Sequence, residues 1–329
     1  MGIITAIMMV PVVLLGGRMS TQTGELILDA GGKKPSPLNK IGRYLPAYLF
    51  VSPYYILFIV FFLVPSVFAI VLSLFRWTAI GTPRWLGIGN FTRLLNNSDF
   101  WTASFNTAIY IVFALLIVLP LSLIIASALN APELRLKNLW RVMFFSPMVT
   151  SIVAIAIVFN LMYSRDYGVI NYALQFFGFS RIDWLGDTTA AKFAVILLIA
   201  WRWTGYNSIF FLAGMQSIPQ ELYEAAMIDG ANAVQRFFHI TIPQLKPIIL
   251  YVTVGIFTGT VQIFEEPFIL TGGGPANATI SVAQFLYQRG IMKLEFGYAS
   301  AIGLVIFFIV FLISMLQLRT LGFFKEEGQ

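Results

Sequence analysis

The residues best placed for specific chemistry in this 329-residue chain lie in one polar stretch, 217–243, which reads SIPQELYEAAMIDGANAVQRFFHITIP. Glu224 falls early in a predicted helix, where a carboxylate is favoured by the helix dipole. Ala225 and Ala226 are strong helix formers that keep one side of the helix slim, and Gly230 suits a left-handed helix stop. We expect two short helices around a glycine hinge, as a surface that enters a partner's groove or as a simple interfacial loop.

The limits of these two helices are predicted from capping residues. Ser217 and Gln220 have the spacing of a capping box, in which two side chains satisfy the first free backbone N–H groups. Asn232 and Gln235 repeat that spacing for the second helix. Pro243 is expected to end it, because proline lacks a backbone N–H donor.

A second candidate site lies in a long apolar run. Trp203, Tyr206 and Asn207 have i, i+3, i+4 spacing, so they share one face of a helix. Aromatic rings beside amide groups can stack on sugar faces and bond sugar hydroxyls. The alternative is ordinary helix packing, with Arg202 ion-paired or reaching an interface. Weaker candidates for the same pathway are the polar residues of the adjoining runs, Asn160, Tyr163, Thr260 and Gln262.

Residue types that serve in catalysis and metal binding are scarce. The chain has no cysteine and one histidine, His239, which argues against thiolate or imidazole metal sites and against a membrane enzyme. Glu265 and Glu266 would point about 100° apart on a helix, either as a solvated helix end or as the lining of a pathway mouth. The glycines at 272–274 lack the lysine of a phosphate-binding loop, so they predict a tight turn.

Composition places these residues in a membrane. The chain is 58% hydrophobic and 11% charged, whereas soluble domains carry about 25% charged residues. Apolar runs of roughly 20 residues indicate spanning helices, because backbone groups in lipid must be bonded within the segment. Six runs predict an all-α polytopic membrane protein with six core helices: 47–75, 105–129, 142–164, the stretch between Lys192 and Glu221, 247–264 and 296–318.

The distribution of Lys and Arg sets the expected orientation. They are more frequent in the segments that share a side with the amino terminus, which the positive-inside rule places in the cytoplasm. The loop at 217–243 is then cytoplasmic too, and the net charge of +6 requires no nucleic-acid partner. Residues 1–44 are expected to form a flexible cytoplasmic tail, and 45–325 one transmembrane domain.

The 217–243 stretch resembles the EAA loop of binding-protein-dependent ABC transporter permeases, with the pattern E-A-A-x3-G-x9-I-x-L-P. The only departure is Ile242, where the pattern has Leu. The residues that carry the match are Glu224, Ala225, Ala226, Asp229, Gly230, Ala231, Ile240 and Pro243. Four further segments, 205–207, 217–219, 270–275 and 296–301, are similar to carbohydrate-type permeases, and the chain resembles the maltose-permease first-subunit kind.

This resemblance implies a type I ABC importer permease, in which the loop docks on a cytosolic ATPase and couples it to the membrane helices. The implied assembly holds a second homologous permease, two ATPase subunits and an extracytoplasmic solute-binding protein in the lipid of a bacterial inner membrane. The ATPase would use ATP and Mg, and this chain would bind no cofactor. It would form half of a pathway for a sugar or related carbohydrate. The alternative is a self-sufficient secondary transporter, which needs a coupling-ion site at mid-membrane.

Overall fold

The computed structural model describes residues 37–78 and 81–320. Most of the predicted amino-terminal tail, residues 1–36, and the end of the predicted 45–325 domain therefore lie outside the described residues. Residues 37–44, which we expected in the tail, instead form the start of the first helix.

Helices make up most of the described chain. The first is continuous, with α1 (Pro37–Phe58) and α2 (Val64–Leu72) joined by a π-helical turn at Ile59–Leu63. Strands β1 (Phe75–Arg76) and β2 (Arg84–Trp85) form an antiparallel hairpin. The later helices are α3 (Gly89–Leu95), α4 (Ser98–Phe113), α5 (Leu119–Asn130), α6 (Lys137–Val149), α7 (Ile152–Met162), α8 (Val169–Phe176), α9 (Thr188–Gln216), α10 (Gln220–Ile228), α11 (Ala233–Arg236), α12 (Ile242–Gln244), α13 (Lys246–Val261), α14 (Glu265–Thr271), α15 (Val282–Tyr287) and α16 (Phe296–Thr320).

Hydropathy and length identify the helices that can cross a membrane. Four are continuous: Tyr48–Leu72, Ser98–Asn130, Thr188–Gln216 and Phe296–Arg319. Two more spans are formed if each bent pair counts as one: α6 with α7, bent by 97°, and residues 233–244 with α13, bent by 70°. The six predicted runs thus correspond to four continuous helices and two broken ones, and the all-α prediction is confirmed apart from the two-residue hairpin.

The third predicted span, 142–164, is a helix broken beside Pro147, a proline expected from the sequence to kink this span. α6 and α7 are separated by Thr150 and Ser151, which have non-helical backbone conformations. Pro147 lies in the last turn of α6, where proline removes a backbone donor and disfavours continuation of the helix. The sequence showed the proline, but it did not show that the helix axis turns through nearly a right angle.

Helix α9 is the centre of the bundle. Its buried residues extend from Ala191 to Met215 and belong to both larger hydrophobic clusters. At Gly205 it approaches α6 so closely that a methyl group would overlap the carbonyl oxygen of Phe144. Small residues allow such close contact between membrane helices. The sites described below lie on α9 or are attached to its ends.

A polar loop between α14 and α15 packs against α4. The amide of Asn106 donates to the carbonyl oxygen of Asn277 at 3.0 Å. The hydroxyl of Tyr110 donates to the backbone carbonyl oxygen of Thr279 at 2.9 Å. The turn expected at 272–274 is therefore tight, but it is held against a spanning helix. These bonds fix the position of α14, which leads into the loop.

Gly205→Ala is expected to lower the thermal unfolding midpoint of the purified protein, because the added methyl group must push α6 away from α9. The matched control is Gly255→Ala in α13, where an added methyl group meets no atom within 4 Å. Alanine favours a helix over glycine by about 1 kcal/mol, so the control should be at least as stable as the parent. Equal midpoints for the two variants would contradict the close contact.

Candidate docking loop and buried polar cluster

The 217–243 loop contains two short helices, α10 and α11, around a left-handed glycine. Gly230 has φ +80°, a conformation that costs glycine little and other residues more. The backbone N–H of Ala231 donates to the carbonyl oxygen of Ala226 at 2.8 Å, which closes the end of α10. The predicted arrangement of helix, glycine hinge and helix is confirmed.

One of the two predicted capping boxes is present. Asn232 Oδ1 accepts from the N–H of Gln235 at 2.9 Å, and Gln235 Oε1 accepts from the N–H of Asn232 at 2.8 Å. The box predicted at Ser217 and Gln220 is wrong: Ser217 caps the end of α9, and its hydroxyl donates to the carbonyl oxygen of Gly214 at 2.8 Å. Because only three residues separate the end of α9 from the start of α10, Ser217 is placed to bond either helix, and its hydroxyl bonds the carbonyl end of α9.

The base of the loop is attached to the bundle at two places. A methyl group at Gly214 of α9 would lie 2.7 Å from Cδ2 of Leu245, which is completely buried. Within the loop, the hydroxyl groups of Tyr223 and Thr241 lie 2.9 Å apart and join α10 to the π-helical turn Phe237–Thr241. Both arms of the loop are thus held to each other and to α9.

The tip of the loop is exposed and largely apolar. Ile228 is 88% exposed, and Met227, Val234 and Phe238 are each more than half exposed. Of the residues that carry the EAA pattern, Glu224, Ala225, Asp229, Gly230 and Pro243 are exposed, and Ala226, Ala231 and Ile240 are half-buried. An apolar tip beside acidic residues is a surface suited to a groove that is apolar inside and basic at its edge.

A cluster of charged residues lies halfway along α9. Arg202 Nη1 lies 2.8 Å from Glu266 Oε1 and 3.3 Å from Glu265 Oε2. The indole Nε1 of Trp203 also donates to Glu266 Oε1, at 2.9 Å. The Glu266 side chain is 3% exposed and that of Glu265 is 55% exposed. The interpretation of both glutamates as a solvated helix end is therefore wrong for Glu266, whose partner lies 64 residues earlier in the chain.

Charge in this cluster does not cancel. One guanidinium faces two carboxylates, and the buried Glu266 receives the shorter ion pair and the indole hydrogen bond. A buried charge without a partner is costly, so Arg202 primarily compensates Glu266. The more exposed carboxylate of Glu265 remains available to hydrogen-bond solvent or a bound solute.

The predicted face of Trp203, Tyr206 and Asn207 is only partly open. Trp203 is half-buried, with its ring against Gly259 of α13. Asn207 is buried, and its amide donates to the carbonyl oxygen of Trp203 at 2.8 Å. Tyr206 is half-buried beside the ring of Phe210, with centroids 5.2 Å apart. Packing accounts for much of this face, and the hydroxyl-bearing Tyr206 remains partly exposed.

The weaker candidates fall into two groups. Tyr163 and Thr260 are buried in the core, where their hydroxyls donate to the carbonyl oxygens of Ala194 and Ile256. Asn160 is half-buried and Gln262 is exposed. The amides of both donate to backbone carbonyls within their own segments of chain. Gln262 and Glu265 therefore join Tyr206 as polar residues near the cluster that retain exposed surface.

A family model described as "Binding-protein-dependent transport system inner membrane component" matches residues 118–321. This chain belongs to that family. The matched region contains the whole 217–243 loop, helix α9 and the charged cluster. The resemblance found in the loop is therefore confirmed, and the chain is an ABC transporter permease. The alternative of a self-sufficient secondary transporter has no support among the similar proteins.

Individual relatives and solved structures agree with this assignment. The permease is 42% identical to "Lactose transport system permease protein LacF" of Rhizobium radiobacter, with 85% of this chain and 95% of the relative covered. It is 37% identical to "Arabinooligosaccharides transport system permease protein AraP" of Bacillus subtilis (strain 168), with 85% and 90% covered. The fold is similar to that in the crystal structure of a bacterial ABC transporter that imports the acidic polysaccharide alginate, with TM-score 0.76, 24% identity and 88% and 99% of the chains covered.

Arg202→Leu is expected to lower the free energy of unfolding by about 3–5 kcal/mol, because it leaves Glu266 buried without its counter-charge. The double variant Arg202→Leu/Glu266→Leu should recover most of that loss, since both charges are gone. Chemical denaturation in detergent micelles measures both changes.

The matched control for this pair is Glu265→Gln, which removes the more exposed carboxylate. Its effect should stay within about 1 kcal/mol, as for surface ion pairs. If Arg202→Leu were as stable as the parent, the buried ion pair would not have the structural role described.

Proposed function

We propose that this permease forms half of the translocation pathway of an ATP-driven importer for a neutral or weakly charged saccharide. The observation that carries the proposal is the exposed apolar tip at Ile228 and Gly230, on a base locked to α9 and α13. A projection whose apolar side chains are exposed and whose base is packed against the bundle is suited to bind a separate subunit and to transmit its movement. In this proposal the tip enters a groove on a cytosolic ATPase, and closure of the ATPase pulls the loop together with the central helix.

The saccharide class is supported by the names of the relatives, which are transport proteins for lactose and arabinooligosaccharides. It is also supported by the chemistry of the accessible residues. Tyr206 supplies an aromatic surface, and Gln262 and Glu265 supply hydrogen-bonding groups of the kind that sugar hydroxyls need. Trp203 and Asn207 then act mainly by holding this surface in place.

The proposed assembly contains a second, homologous permease, two ATPase subunits and an extracytoplasmic solute-binding protein. The first span, Tyr48–Leu72, is largely uncovered by the rest of this chain, and only 6% of its most apolar stretch of 18 residues is buried. This leaves a long apolar side for lipid and for the second permease. A solved alginate transporter of similar fold was crystallised with a pentasaccharide-bound periplasmic protein, which supports a solute-binding protein as the donor of substrate.

In this proposal the ATPase subunits carry out ATP hydrolysis. ATP and Mg are bound by the ATPase, and this chain binds no cofactor and catalyses no reaction. The protein lies in a bacterial inner membrane, with its amino terminus and the 217–243 loop in the cytoplasm. The excess of Lys and Arg in the segments on that side supports this orientation.

The function is tested by uptake into vesicles that contain the permease with its co-purifying subunits. We expect uptake of labelled lactose or arabinooligosaccharide to require both ATP and the solute-binding protein. Uptake without ATP, driven by an ion gradient, would contradict the proposal.

Ile228→Asp should weaken association with the ATPase by on the order of tenfold or more, because a charge replaces an apolar contact at the centre of the tip. Gly230→Val should also weaken it, since valine is strained at φ +80°. Gly230→Asn is the matched control for the backbone effect, because asparagine tolerates that conformation better.

Co-purification from detergent-solubilised membranes measures the association, with membrane insertion of the variants checked in parallel. Normal recovery of the ATPase with Ile228→Asp and with Gly230→Val would exclude the tip as the docking surface.

Tyr206→Ala and Gln262→Ala should reduce saccharide uptake several-fold while ATPase binding stays normal, because each removes an accessible pathway group. The control is Phe308→Ala, at an exposed aromatic residue of α16. Unchanged transport in both pathway variants would remove these residues from the route.

A further inference from the structure

The connection between α7 and α9 presents exposed apolar side chains to which the proposed function assigns no role. It contains the short helix α8 and the residues on either side of it. The large side chains on this surface are each more than 60% exposed: Tyr167, Val169, Tyr172, Phe176, Phe177 and Phe179. Contiguous apolar surface of this kind marks a place where something else binds.

The depth of this connection follows from a hydrogen bond at its start. The hydroxyl of Tyr163, directly after α7, donates to the carbonyl oxygen of Ala194 at 3.1 Å. Ala194 lies at the beginning of the apolar part of α9, two residues after Lys192. Trp184, near the end of the connection, packs on Tyr163 with ring centroids 5.5 Å apart. Both ends of the connection therefore lie where the hydrocarbon region of α9 begins.

A buried amide keeps α8 at that depth. Asn171 is 2% exposed, and its Nδ2 donates to the carbonyl oxygens of Ser164, Arg165 and Ile182 at 2.8–3.3 Å. Its Oδ1 accepts from the N–H of Ile182 and from the indole of Trp184, both at 3.1 Å. This set of bonds ties the first turn of α8 to both ends of the connection, so that the helix cannot rise away from the level of Ala194.

The orientation of α8 follows from its two faces. Ile170 points inward and packs on the hydrophobic cluster that includes Tyr163 and Ala194. Val169, Tyr172 and Phe176 lie on the other side of the helix and are exposed. The apolar side away from the bundle is thus held at the boundary between water and hydrocarbon, where aromatic side chains are enriched in membrane proteins.

Charge near α8 favours no particular lipid. Asp166 and Arg181 lie 3.7 Å apart at the rim of the exposed face, and the nearby Arg165 and Asp183 are also of opposite sign. The surface therefore has no net charge with which to select anionic headgroups. Burial of apolar surface is the main source of attraction that these residues offer.

We propose that α8 and the following residues 177–179 form an interfacial anchor that lies in the headgroup–acyl boundary of the leaflet at the amino-terminal end of α9. The occupant of the exposed face is lipid. Binding depends on the aromatic side chains and is insensitive to salt. This inference does not depend on the transported solute or on the ATPase.

The natural absence of cysteine allows a direct test. Single variants Tyr172→Cys and Phe176→Cys, each labelled with bimane, report on the exposed face. Gln175→Cys is the control for position 176, because it is exposed but lies about 100° around the helix from that position; it is about 60° from position 172. The labelled full chain, with its co-purifying subunits, is placed in vesicles of phosphatidylethanolamine and phosphatidylglycerol, some of which carry a nitroxide near the headgroup.

We expect nitroxide lipid to quench the label at 176 several-fold more than the label at 175, and the label at 172 at least as strongly as that at 175, with aqueous iodide showing the reverse order. The pattern should be the same at low and high salt and after addition of the solute-binding protein. Strong iodide quenching at both apolar positions would overturn the proposal. Protection of both positions from both quenchers would also overturn it, because a protein subunit would then cover this face. Phe177→Cys serves as a replacement if either variant fails to insert.

Discussion

A buried ion pair between Arg202 and Glu266 ties the central helix to the segment that follows the 217–243 loop. α9 leads into the loop, α13 leads out of it, and Glu266 lies just beyond the end of α13. The guanidinium and the carboxylate are 2.8 Å apart in surroundings that exclude water from Glu266. Because an unpaired charge there would be costly, α9 and α14 are held together at the middle of α9.

A second constraint acts at the base of the loop. Leu245 packs against the backbone of α9 at Gly214, where no side chain larger than hydrogen fits without displacement. The loop is therefore fixed to α9 at its root, and α9 is fixed to α14 further along. Because the base of the loop is fixed in this way, we infer that a displacement of the tip reaches the polar cluster beside the proposed pathway.

Much of this architecture could be predicted from the sequence. Apolar runs indicated the spans because backbone N–H and C=O groups in lipid must bond each other, which a helix achieves within one segment. Gly230 and the Asn232 box were predictable because their chemistry is local. The features that were missed depend on other parts of the chain. The ion-pair partner of Glu266, Arg202, lies 64 residues away in the sequence. The hydroxyl of Ser217 could bond either the end of α9 or the start of α10, and the sequence alone does not decide between them. Pro147 indicated a kink in the third span, but the size of the bend between α6 and α7 depends on how these helices pack against their neighbours.

The central claim is that the loop moves as one body with the helices at its base, and a distance between the loop and α13 tests it most directly. Ala233→Cys at the start of α11 and Gly255→Cys in α13 are both exposed and can be spin-labelled in this cysteine-free chain. Double electron–electron resonance on the native assembly should give one narrow distance that is the same without nucleotide and with bound ATP. A distance that shifts or broadens when ATP binds would show that the loop bends on its own base, and would contradict the account.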